Sequence, residues 1–220
     1  MPTIAEHALT MIHDNAVVGL GSGRAATAFI KALGGLVRQG LHVRGVPTSE
    51  GSARLARELG IPLATFEEVE ALDIDVDGAD EVDPQLDLIK GLGGALVREK
   101  IVAAASRRVV ILVGSEKLVP VLGSHGVLPV EVVPFALAPC RRRLSAMGFP
   151  SRLRQVDGKT FVTDNGNVIL DLQVAPILDP PKFEQILLGI PGVVGTGLFL
   201  GMAHTVLIQN GDSIQVRDRV

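Results

Sequence analysis

Apolar residues along this chain gather in short, nearly uninterrupted runs separated by amphipathic stretches. The runs at 16–20 and 109–113 are continuously apolar, as in strands buried on both faces, and 43–46 and 73–76 are strand-like. Between them, 25–33, 50–59 and 95–105 read as helices, and 3–13 carries a helical pattern through Ile4, Leu9 and Ile12. Gly34-Gly35 is expected to end the first of those helices and Gly60 the second. Strands alternating with helices predict a parallel sheet covered on both faces.

The texture changes after about residue 123. Residues 128–133 read as a strand and 137–147 as a helix. The runs 155–163 and 168–174 flank Asp164-Asn165-Gly166-Asn167, and 181–188 is a last helix. Asn-Gly between two such runs is a strong hairpin signal, repeated at Asn210-Gly211 between 205–208 and 213–216. The β-α-β-β-α order predicts a small α+β module, with further strands from Leu198 onward.

Composition narrows the class. A chain of 220 residues has room for one large or two small domains and buries roughly 70% of its unfolded surface. With 3% aromatics and neither Trp nor Tyr, the core must be aliphatic. A net charge of −3 offers no nucleic-acid footprint, and Arg141-Arg142-Arg143 reads as a solvated helix face. A single cysteine, Cys140, precludes an intrachain disulfide and is read as structural. The N-terminus lacks a basic region followed by an apolar core, and no charge-free apolar run reaches the roughly 18 residues needed to span a bilayer. The expectation is a cytoplasmic protein with no membrane partner. His13, His42, His125 and His204 stand alone and His7 only adjoins Glu6, so no metal is expected.

The chemistry concentrates in 73–100, DIDVDGADEVDPQLDLIKGLGGALVREK. A strand ending at Asp77-Gly78 is followed by Asp80, Glu81 and Asp83, then Lys90, then Gly91, Gly93 and Gly94, with Glu99 about one turn into a helix. Ligands of α/β sheets sit at such strand ends. Carboxylates, one cation and bare backbone amides together suit proton transfer beside a carbonyl whose oxygen becomes negative. The bland alternative is an acidic loop with Asp80, Glu81 and Asp83 solvated. Gly19 to Arg24 joins an apolar strand to a helix, a natural anion site, with a hydroxyl at Ser22 and a guanidinium at Arg24 suited to a terminal phosphate. It is a poor dinucleotide fingerprint, because G-x-G-x-G-R-A departs from the usual spacing and the second strand, which runs into Pro47-Thr48-Ser49, carries no acidic residue. Ser49 has the character of a helix N-cap, a role compatible with binding. Lys117 follows the strand 109–113 at the same sheet edge and reads either as a ligand group or as a solvated lysine.

Asp77 to Glu81, Leu88 to Gly94 and Arg98 to Ile101 resemble the signature of ribose-5-phosphate isomerase, type A. That family carries Asp-Gly-Ala-Asp-Glu, Leu-Ile-Lys-Gly-Gly-Gly and Arg-Glu-Lys-Ile. Val18 to Gly23 is similar to its phosphate loop, Thr48-Ser49 with Ser52 to its hydroxyl motif, and Ser115-Glu116-Lys117 to its Ser-Lys segment. Thr163 to Asn167 and Pro191 to Val194 resemble its late motifs, all in register. There are departures. Gly21-Ser22-Gly23-Arg24-Ala25 stands where Gly-Thr-Gly-Ser-Thr is usual, and a lysine before the first strand has no counterpart, Lys31 being the first. Leu92 interrupts the glycine run, and Gly195-Thr196 replaces Glu-Asn.

The resemblance implies a Rossmann-like α/β domain, 1–123 and 200–220, with helices on both faces of a parallel sheet, and a smaller inserted α+β (ferredoxin-like) domain, 124–199. It implies interconversion of D-ribose 5-phosphate and D-ribulose 5-phosphate in the non-oxidative branch of the pentose phosphate pathway. It further implies no cofactor or metal, a sugar phosphate as the only small-molecule partner, and a homodimer or homotetramer. Glu99 would be the general base, Asp77 would help open the ring, Lys90 would stabilise the enediolate, and Asp77 and Asp80 would hold hydroxyls. Gly21, Ser22, Gly23, Arg24, Ala25, Thr48, Ser49, Gly78, Ala79, Gly91, Gly93, Gly94 and Lys117 complete the expected substrate-binding set. The rivals are a related sugar-phosphate isomerase or deaminase, and a sugar-phosphate-sensing module of a transcriptional regulator. The latter would need a DNA-binding domain for which 220 residues leave no room.

Overall fold

The computed structural model describes residues 3–219. In chain order the elements are α1 (Ile4–Leu9), β1 (Ala16–Leu20), α2 (Arg24–Arg38), β2 (Val43–Pro47), α3 (Glu50–Glu58), β3 (Ile74–Gly78), β4 (Glu81–Val82), β5 (Leu88–Ile89), α4 (Leu96–Ala104) and β6 (Val109–Gly114). There follow β7 (Val127–Val132), α5 (Leu137–Ala146), β8 (Ser151–Leu153), β9 (Gln155–Val156), β10 (Lys159–Thr160), β11 (Val168–Gln173), α6 (Pro180–Leu188), β12 (Val193–Thr196), β13 (Leu198–Phe199), β14 (Thr205–Asn210) and β15 (Ser213–Asp218). Two compact units result: 1–79 with 98–117 and 201–220, and 80–97 with 118–200. The segment 80–97 thus groups with the second unit, whereas the sequence division kept it with the first. The expected domain ends at residues 1, 2 and 220 lie outside the described residues.

The first unit is a six-stranded sheet in the order β15-β14-β6-β3-β1-β2. All neighbours are parallel except the edge pair β14–β15. Alternate residues of β1 face opposite ways: Val18 and Leu20 pack with Phe29, Ile30 and Leu33 of α2, while Val17 packs with Leu72 and with Val102 of α4. Helices therefore cover both faces, as suits central strands whose residues are buried almost throughout. Because β1 pairs with β2 on one side and β3 on the other, the order reverses at β1/β3, the place where an open α/β sheet forms its ligand crevice.

The second unit carries a four-stranded antiparallel sheet in the order β12-β7-β11-β8. Its connectivity is strand-helix-strand-strand-helix-strand. One face buries Val130 and Leu170 against Cys140 and Leu144 of α5 and Leu187 of α6. The opposite face presents Pro129, Glu131, Ile169 and Asp171, registered in the pairs Glu131↔Ile169 and Pro129↔Asp171. A small sheet, β13-β5-β4, lies in the same unit.

Three expectations are corrected. Gly34-Gly35 does not end α2, which runs on to Arg38; Gly34 lies against Leu59, where a Cβ would come within 2.7 Å of the leucine Cβ. The glycine serves close helix packing, and Gly40, at φ 103°, lies just past the actual end. The run 155–163 is broken into β9 and β10 by Asp157 and Gly158, both at positive φ (51° and 74°), a tight hairpin turn. The helix expected over 3–13 stops at Leu9, after a Thr3/Glu6 capping box at its start, and Thr10 donates its hydroxyl to His7 O.

Candidate active site

In the first unit, β1 and β3 end side by side. The Asp77 carboxylate accepts from the amides of Ser22 (3.0 Å) and Gly78 (2.7 Å) through Oδ1 and is fully buried. Gly19 on β1 and Gly21 just past its end lie against Asp75 and Asp77 of β3; a side chain at either would collide with the carboxylate. The glycine pattern therefore makes room for two buried acids as well as baring amides. Asp75 is as deeply buried as Asp77 but belongs to the middle of its strand, backed by Gly19.

Beside Asp77 four hydroxyls form one network. Ser22 Oγ lies 2.8 Å from Thr48 Oγ1, 2.7 Å from Ser49 Oγ and 3.3 Å from Ser52 Oγ. Thr48 donates to Leu20 O and Ser52 to Gly21 O, which ties the loop after β1 to the loop after β2. Ser49 caps α3 by accepting from Ser52 N, as expected, and belongs to the hydroxyl network too. Ser52 is a member that the sequence reading quoted as motif only. Gly23, at φ 89°, is the N-cap of α2 and supplies no side-chain acceptor, so the first amides of α2 are left to a ligand. Arg24, exposed, and Ala25 open that helix. The Arg24 side chain makes no hydrogen bond or ion pair among the described residues. Ala79 ends the first segment of this unit, and Lys117 ends a single 3₁₀ turn after β6, two strands along the same edge from β1. Glu99 is 4% exposed in the first turn of α4, where the helix dipole favours the carboxylate.

In the second unit the acidic loop is not solvated. Glu81 is 1% exposed and accepts from the amides of Gly123 and His125, both at 2.6 Å. Asp83 caps the turn before β5 by accepting from Gln85 and Asp87 amides. Lys90 is 4% exposed, and its ammonium lies 5.5 Å from the Phe199 ring centroid. Asp80 Oδ2 accepts from Leu92 N (3.0 Å), and Gly94 N closes a turn onto Gly91 O (3.0 Å). The expectation that the amides of Gly91 to Gly94 all face a ligand is narrowed: two are engaged within the turn, and Gly93 is the exposed glycine of the run. Sequence reasoning missed Arg154 and Asp171. Arg154 Nη1 donates to Gly91 O (2.6 Å) and Leu92 O (3.0 Å), and its guanidinium is held on Asp171. A buried pair 17 residues apart carries no periodic signal; only the pairing of β8 with β11 brings it together. Among the described residues no His, Cys, Asp or Glu cluster is arranged for a metal, and no helix is long and apolar enough to cross a membrane.

Residues 44–213 match the family model for ribose 5-phosphate isomerase A (phosphoriboisomerase A). The chain belongs to the ribose 5-phosphate isomerase A family. A ribose-5-phosphate isomerase A of Roseiflexus sp. (strain RS-1) is 50% identical over 96% of this chain and 91% of its own. The solved ribose 5-phosphate isomerase A of Methanocaldococcus jannaschii superposes with a TM-score of 0.93 at 40% identity, covering 98% of this chain and 96% of that one. A solved D-ribose-5-phosphate isomerase in complex with phospho-erythronic acid superposes with a TM-score of 0.94 at 40% identity and the same coverage.

Proposed function

We propose that this member of the family interconverts D-ribose 5-phosphate and D-ribulose 5-phosphate through an enediolate. The observation that carries the reading is the 50% identity, over nearly the whole length, to a protein named for that reaction. In this reading the phosphate dianion is received by the α2 amides, the Ser22, Thr48 and Ser49 hydroxyls and Arg24, with Lys117 as a further cation. Asp77 opens the sugar ring, and Asp77 and Asp80 hold its hydroxyls. Glu99 carries a proton between C1 and C2: it takes the C2 proton of the open-chain aldose as the C1 carbonyl oxygen becomes negative, then returns a proton to C1 as the C2 hydroxyl proton passes to the C1 oxygen and the C2 carbonyl forms. A buried carboxylate is suited to that task because the proton must be both taken and given near neutral pH. Lys90 and the Gly91 and Gly93 amides meet the negative oxygen, which suits donors that exist before the charge does.

Isomerisation in deuterium oxide tests the route. Product ribulose 5-phosphate should carry solvent deuterium at C1, as an enediolate whose proton resides on a carboxylate requires. Turnover with no solvent deuterium in product or recovered substrate would contradict it.

The same reading includes a cytoplasmic location, a place in the non-oxidative pentose phosphate branch, and a homodimer or homotetramer. Val133, Phe135 (98% exposed) and Ile186 line one groove on the second unit, an exposed apolar surface that supports self-association. Light scattering should give two or four times the 23.1 kDa chain mass; a single chain mass would contradict it.

A further inference from the structure

Arg154 makes no contact that the reaction calls for, yet it is built as carefully as the residues that do. Its side chain is only 10% exposed, in the chain between β8 and β9. Nε donates to Asp171 Oδ2 at 3.0 Å and Nη2 to Asp171 Oδ1, so the carboxylate grips one edge of the guanidinium in two places. Both hydrogens of Nη1 are thereby left pointing at the glycine loop, where they reach Gly91 O and Leu92 O. The amide of Arg154 is itself fixed on Ile169 O of β11, the strand that carries Asp171.

This arrangement has a directional consequence. All peptide bonds of the described residues are trans, so the carbonyl and the N–H of one peptide unit point opposite ways. The Gly91–Leu92 unit has its carbonyl on Arg154, and its N–H emerges on the far side, where Asp80 Oδ2 accepts it. The Leu92–Gly93 unit also has its carbonyl on Arg154. Its N–H, that of Gly93, is therefore turned toward the Asp80 side. Gly94 is held differently: its amide is spent on Gly91 O, and the Phe161 ring occupies the space beside its Cα. Without a donor at Leu92 O, this unit, hinged on Gly93 at one end, would rotate more freely.

We propose that Arg154, braced by Asp171, is a positioning residue that fixes the Leu92–Gly93 peptide so that the Gly93 N–H is presented as an oxyanion donor. This rests on the isomerase reading above. Arg154 touches no reacting atom; it acts through the backbone. Leu92, where the family motif has glycine, puts a side chain with 51% exposure on this turn, and the two bonds from Nη1 keep its carbonyl inward regardless. Lysine cannot replace the function, because a point donor cannot grip a carboxylate with one edge while giving two hydrogens to two carbonyls.

The test compares wild type with Arg154→Ala and Arg154→Lys, using ribose 5-phosphate turnover and the affinity for phospho-erythronic acid, whose carboxylate stands in for the negative enediolate oxygen. A misaimed donor removes stabilisation that exists only when the oxygen is charged. Arg154→Ala should lower kcat about 10- to 100-fold while KM moves less than about threefold. Affinity for phospho-erythronic acid should fall by a factor comparable to kcat. Arg154→Lys should fall between, and added guanidinium should restore part of the Arg154→Ala rate. If Arg154→Ala does not fold, Arg154→Lys is judged by the same split. A folded variant with kcat within about twofold of wild type, or one whose loss appears equally in substrate and analogue binding, overturns the positioning role. Wild-type protein inactive on ribose 5-phosphate would overturn the isomerase reading and, with it, the role of Arg154 in that reaction, an outcome distinct from active wild type with unaffected variants.

Discussion

Glu99 and Arg24 stand at opposite ends of what a single residue can reveal. Glu99 is buried in the first turn of α4, and its position three residues after Leu96 follows from the helix signals in the sequence. Glu99→Gln keeps the shape and removes the base; kcat for ribose 5-phosphate should fall by about 100-fold or more with KM nearly unchanged. Arg24 opens α2 where the family has a hydroxyl, and no other side chain among the described residues claims its guanidinium. Charged hydrogen bonds contribute roughly 1.5–3 kcal/mol, so Arg24→Ala should raise KM about 10- to 100-fold and leave kcat largely intact. An unchanged KM would mean that the loop amides and Ser22 suffice. Cys140 is fully buried and donates to Pro191 O, and desolvation pushes its thiol above the usual range. The native protein should therefore react with an aromatic disulfide reagent at pH 8 only on the timescale of unfolding, with one thiol released at once in urea.

At the scale of elements, legibility tracked whether a signal was local. Strand β1 and the Asn210-Gly211 hairpin are read from adjacent residues, and the structure has them where the pattern puts them. Short strands such as β4, β5 and β13 escaped because two-residue strands have no period to detect. Gly34-Gly35 misled because a glycine pair ends a helix or lets another helix approach, and only the presence of Leu59 decides which. That difference is measurable. Gly35 has open space beside its Cα, so Gly35→Ala should stabilise by about 0.5–1 kcal/mol through helix propensity. Gly34→Ala meets the Leu59 Cβ and should destabilise by about 1–3 kcal/mol despite the same propensity gain. Thermal melts of the two variants should move in opposite directions; parallel shifts would refute the packing role of Gly34. The candidate site follows the same division. The acids, the lysine and the loop after β1 stand out as linear motifs, whereas Arg154 and Asp171 meet only through the pairing of β8 with β11.

For the molecule as a whole, the sheet order and the motifs agree. The order reverses at β1/β3, and Asp77 and the loop that follows β1 lie at that reversal. The central claim is that this chain is an isomerase whose proton carrier is Glu99 and whose chemistry needs no metal. Purified wild type and Glu99→Gln, each freed of divalent ions with EDTA, should be compared for ribulose 5-phosphate formation from ribose 5-phosphate. The account predicts rapid conversion by wild type in chelator and a loss of about 100-fold or more in the variant. Wild-type activity that vanishes in EDTA and returns with a divalent ion, or a Glu99→Gln variant as fast as wild type, would contradict it.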